Sequence, residues 1–192
     1  MPTRRVFVLL ALVAALAAAC GDPPAKEIQQ GRDAIEAAKA AGAEQFAREE
    51  LTAAQDALKR ADDAVAQRDY RLALNNALDA RERAQNAAKQ ATARKSVAKA
   101  DAERALGTTT LALQQAHARL KAAEASRAPA RALVRPRRTL ASAEQAVQKA
   151  RTAFTQGDYP ATTEATSTAT SMLQAVAREL DAVAAPVPRR RH

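Results

Sequence analysis

The sequence predicts an all-α protein of long antiparallel, alanine-rich helical hairpins forming an elongated four-helix bundle or coiled coil. Three observations predict it. Of the 192 residues 54 are alanine, the best helix former of all. Apolar residues recur in alternating steps of three and four, which places them on one helical face, and strand signals are absent. Only four aromatic residues follow position 19, so large side chains cannot fill the interior and the helices must approach one another through alanine.

Residues 1–19 read as a secretory leader: cationic Arg4 and Arg5, an apolar run from Val6 to Ala19, then small residues. That run is shorter than the roughly 20 residues a transmembrane helix needs. Cys20 is the only cysteine, and Ala17-Ala18-Ala19-Cys20 resembles the lipobox of bacterial lipoproteins. The resemblance implies acylation of Cys20 and a lipid-anchored mature chain. Because Gly21 rather than aspartate follows Cys20, the resemblance favours the outer over the inner membrane, facing the periplasm. Residues 20–24, ending in Pro23-Pro24, form the expected tether.

Residues 25–127 are expected to form a first hairpin with an extended second helix. Its first stripe is Leu51, Ala54, Leu58, Ala61 and Val65; its second is Ala77, Ala80, Ala84, Ala87 and Ala91. Between them lies a turn at Arg68-Asp69-Tyr70. Leu106, Thr109, Leu113, Ala116, Leu120 and Ala123 continue the second helix at heptad-like spacing, a seam that calls for a partner. Residues 128–138 read as a basic Pro/Arg linker and residues 186–192 as a basic disordered tail.

Residues 139–185 are expected to form a second hairpin, because a shift of 89 residues superposes the pattern on itself. Leu140, Ala143, Val147, Ala150 and Phe154 match the first stripe. Thr166, Ala169, Leu173, Val176 and Leu180 match the second. The turn between them is Gly157-Asp158-Tyr159. Gly157 suits the left-handed conformation that closes a helix, Asp158 suits an N-cap, and Pro160 is tolerated in a first turn.

The stretch Ala38-Lys39-Ala40-Ala41-Gly42-Ala43-Glu44-Gln45-Phe46-Ala47, followed by the Leu51 to Val65 stripe and Asp69-Tyr70, resembles the alanine-rich bacterial lipoproteins grouped as domain of unknown function 4398. That resemblance implies a lipoprotein leader and a helical hairpin similar to a tetratricopeptide pair. It implies no activity.

Candidate chemistry is sparse. His117 has no second ligand at helical spacing, so no metal is expected. The acid pairs Glu49-Glu50 and Asp62-Asp63 stand beside Arg48, Lys59 and Arg60 as a solvated face would. No phosphate-cradling glycine loop exists, and neither catalysis nor a cofactor is expected. The formal charge of +9 is concentrated in Arg131, Arg135, Arg137 and Arg138 and in Arg189, Arg190 and Arg191. Guanidinium forks suit phosphates and carboxylates. Without interleaved aromatics for base stacking, nucleic acid is not an expected partner. The expected function is a lipid-anchored envelope scaffold that contacts another envelope protein or a second copy of itself. The alternative is binding of peptidoglycan or lipopolysaccharide through these arginines.

Overall fold

The computed structural model describes residues 22–184, which form six helices and no strand. These are α1 (Ala25–Ala40), α2 (Ala43–Phe46), α3 (Arg48–Ala66), α4 (Tyr70–Ala125), α5 (Ala130–Thr155) and α6 (Tyr159–Ala184). The all-α bundle anticipated from composition is what the structure shows. Its finer division differs, because the first arm is broken twice. Gly42, at φ 90°, ends α1 with its amide bonded to the Lys39 carbonyl at 2.8 Å. Ala47, at φ −149°, separates the single turn α2 from α3. The chain divides into two compact units, with the boundary after Arg94, inside α4.

In the first unit α1, α3 and the proximal part of α4 enclose a core made largely of methyl groups. Ala38, Ala54, Ala57, Ala61, Ala73, Ala77, Ala80, Ala84, Ala87 and Ala91 are wholly buried, with Ile28, Ile35 and Leu51 the largest buried side chains. Each buried methyl contributes about 0.8 kcal/mol and surrenders no rotamer freedom. Close approach is therefore obtained without ordering long side chains. Gly31 faces both neighbours: a Cβ there would lie in van der Waals contact with them, 3.5 Å from the Ala77 carbonyl and 3.4 Å from Leu58 Cδ1.

The second unit packs the distal part of α4 against α5 and α6. Its core is larger-grained, comprising Ala116, Ala123, Leu133, Leu140, Ala143, Leu173, Val176 and Leu180. Thr109, buried in this unit, shares a hydrogen bond with Thr170 at 3.1 Å. α4 continues through Gly107 without interruption.

The stretch read as a linker is corrected. Only Ser126 to Pro129 lie outside helices, and α5 begins at Ala130 and runs through Pro136. Proline in a helix removes one amide and crowds the preceding turn. Here the Pro136 ring is fully buried in the α5 interface, and that burial offsets the lost bond.

Candidate functional site

Each hairpin turn is built from the same hydrogen bonds. In the first, the Arg68 amide donates to the Val65 carbonyl at 2.9 Å and the Asp69 amide to the Ala64 carbonyl at 2.9 Å. In the second, Gly157 donates to Phe154 at 3.0 Å and Asp158 to Ala153 at 2.9 Å. This pair of bonds around a left-handed residue is the Schellman motif. Arg68 has φ 60° and Gly157 φ 78°, so arginine adopts the conformation glycine holds in the duplicate. Asp69 and Asp158 then cap the next helix: the Leu72 amide donates to Asp69 Oδ1 at 3.0 Å and the Ala161 amide to Asp158 Oδ1 at 3.1 Å. Tyr70 opens α4, and Tyr159 opens α6 with its ring 5.6 Å from that of Phe154.

A third turn of the same kind reverses the chain where a longer linker was expected. Arg127 has φ 59°, its amide donates to Glu124 at 3.1 Å, and that of Ala128 to Ala123 at 3.2 Å. Pro129, in place of an acidic cap, starts α5. Pro129 was the only signal of this turn in the sequence; an arginine in the left-handed region leaves none.

The described arginines of the expected basic cluster fall into two pairs, one engaged by carboxylates and one exposed. Arg135 Nε donates to Glu179 Oε1 at 2.9 Å, across to α6, and Arg137 to Glu124 Oε1 at 2.7 Å, across to α4. Arg131 and Arg138 are exposed and make no ion pair among the described residues. Arg189, Arg190, Arg191 and Cys20 lie outside the described residues.

The acid pairs are split between structural contacts. Asp62 accepts from Arg32 at 3.0 Å, and Glu50 Oε1 accepts from Arg94 at 3.2 Å. Arg94 also donates to the Phe46 carbonyl at 3.0 Å, fastening α2 to α4. Oε2 of Glu50 and of Glu179 is buried without a hydrogen bond. His117 Nε2 lies 2.7 Å from Glu144 at the seam between α4 and α5. The Lys39 ammonium is held above its ordinary range by its hydrogen bond to Glu36, and the Arg83 guanidinium by its bond to Asp79. Among the described residues no group of three or more His, Cys, Asp or Glu side chains could hold a metal ion, and no helix is long and apolar enough to cross a membrane.

One open groove, of about 560 Å³, runs between α4 and α6 in the second unit and includes Thr108, Thr163, Ser167 and Ser171. Three of its hydroxyls bond their own helix backbone: Thr108 donates to the Arg104 carbonyl at 2.9 Å, Thr163 to that of Tyr159 at 3.1 Å and Ser171 to that of Ser167 at 3.1 Å. No nucleophile there is aligned with a base.

The exposed apolar residues were not singled out by periodicity. Leu72, Leu74 and Leu78 are 36–45% exposed on the first turns of α4. The duplicate carries Ala161, Thr163 and Ser167 at the matching positions. That mismatch between copies is the signal that reveals them.

No protein-family model, no curated protein and no solved structure matches this chain.

Proposed function

We propose that the chain is a lipid-anchored helical scaffold of the bacterial envelope, attached through Cys20 and related to the domain of unknown function 4398 lipoproteins, with the first hairpin as its contact surface. The observation that carries this reading is the exposed pair Leu74 and Leu78, on one side of α4, where the second hairpin has Thr163 and Ser167. Scattered exposed leucines need no explanation. A pair one helical turn apart, Leu74 and Leu78, close to a rigid capped turn and absent from an otherwise matching duplicate, supports a docking role.

Two measurements test the reading. Mass spectrometry of the membrane-extracted protein should find an acylated Cys20 as the mature N-terminus; an unmodified N-terminus at another residue would remove the anchor. A photo-crosslinker at the exposed Asn75 should capture a discrete protein adduct in intact cells, and L74T/L78S, which copies the second hairpin, should reduce capture at least tenfold without loss of helicity. Equal capture by wild type and variant would refute the contact surface.

The alternative, polymer binding through the arginines, is supported less. Arg135 and Arg137 are each engaged by a carboxylate, and an engaged guanidinium must exchange that partner to bind another.

A further inference from the structure

Within the second unit, the seam between α4 and α5 is marked by an ion pair of Glu124 with Arg137 and a contact of His117 Nε2 with Glu144, each at 2.7 Å. Core residues Ala116, Ala123, Leu133 and Leu140 lie on one side of it. At roughly 100° per residue, the other side is presented by Leu111 and Lys121 of α4 and by Arg131, Val134, Arg138 and Lys149 of α5. Arg127 stands in the turn that joins them.

All seven side chains are exposed. Leu111 and Val134 are 55% and 54% exposed, among the most open large apolar residues described. None of the five cations bonds a carboxylate of the described residues, and Glu124 and Glu144 at the seam bond Arg137 and His117. Here, then, is a face that is cationic and apolar together, bordered by two acids that bond other side chains.

We propose that this face rests on a bilayer surface carrying anionic phosphate headgroups. Cations near such a leaflet are drawn to its negative potential, and apolar side chains set among them gain by leaving water at the headgroup boundary. A hydrated anionic polysaccharide would satisfy the cations but leave Leu111 and Val134 without a role. The attachment is separate from the one at Cys20 and needs no covalent lipid.

The test uses the chain from Gly21 to His192, which holds every described helix and no leader, so its failure leaves the acyl anchor untouched. Sedimentation with phosphatidylcholine vesicles, with and without phosphatidylglycerol, should show binding only to the anionic ones. Lys121→Gln, Arg131→Gln and Arg138→Gln should each weaken it about fivefold. Leu111→Ser with Val134→Ser should weaken it several-fold more. Lys26→Gln, Lys59→Gln and Lys89→Gln together, in the first unit, should change it less than twofold. Absence of binding, an equal loss from the first-unit set, or retention on a phosphorylated polysaccharide but not on vesicles would overturn the proposal. Circular dichroism checks that every variant keeps its helices.

Discussion

Arg68 and Gly157 perform one task with different chemistry. A residue with a Cβ in the left-handed region is strained by roughly 1–2 kcal/mol, whereas glycine enters freely but loses more freedom on folding. Arg68→Gly should therefore raise the stability of the first unit by about 1 kcal/mol, and Gly157→Ala should lower that of the second by a similar amount. Urea unfolding of the two variants measures both. Nothing lies within 4 Å of a Cβ at Gly157, so the effect there is backbone strain alone. Asp158→Ala should cost about 1 kcal/mol by removing the N-cap, read in the same titration. At this scale the turns were legible, since aspartate before tyrosine, with glycine in one copy, spells a cap. The Arg127 turn was hidden because its conformation contradicts the preference of its residue.

Helical stripes were the most legible elements. Ala77, Ala80, Ala84, Ala87 and Ala91 are all buried, as are Thr166, Ala169, Leu173, Val176 and Leu180. Their sizes differ because their surroundings differ. Ala84 meets α1 and α3 in a cluster of alanines around Ile35 and Leu51, whereas Leu173, 89 positions on, meets Leu133, Leu140 and the distal part of α4. Ala84→Leu should destabilise the first unit by about 3 kcal/mol through overpacking, even though the duplicate has leucine at that position. Leu173→Ala should destabilise the second by about 2–5 kcal/mol through the cavity left behind. Thermal melts followed by circular dichroism give both values. Misplacement of α5 has the same origin: a local rule for proline gave way to packing that only the assembled helices supply. The break at Gly42 was available in principle, in a chain with just five glycines, but alanine on both sides masked it.

For the molecule as a whole, each unit carries its own core. From Thr92 to Asp101 every residue of α4 is exposed except the half-buried Ala98. A helical segment of this length gains little stability by itself, and segments with few buried contacts open most readily. Brief trypsin treatment should cut first at Lys95 or Lys99, leaving two helical fragments, which mass spectrometry would identify. Duplication was legible across the chain because both stripes and both turns repeat. The exposed apolar residues were not, since periodicity finds what is buried and is silent about what protrudes. The matching turns also distribute the chromophores. Tyr70 and Tyr159 are the two tyrosines of a chain without tryptophan, one at the bend of each hairpin. Intrinsic fluorescence is thus divided between the halves by the protein itself, and Tyr70→Phe or Tyr159→Phe leaves a single emitter that follows one half without any added dye.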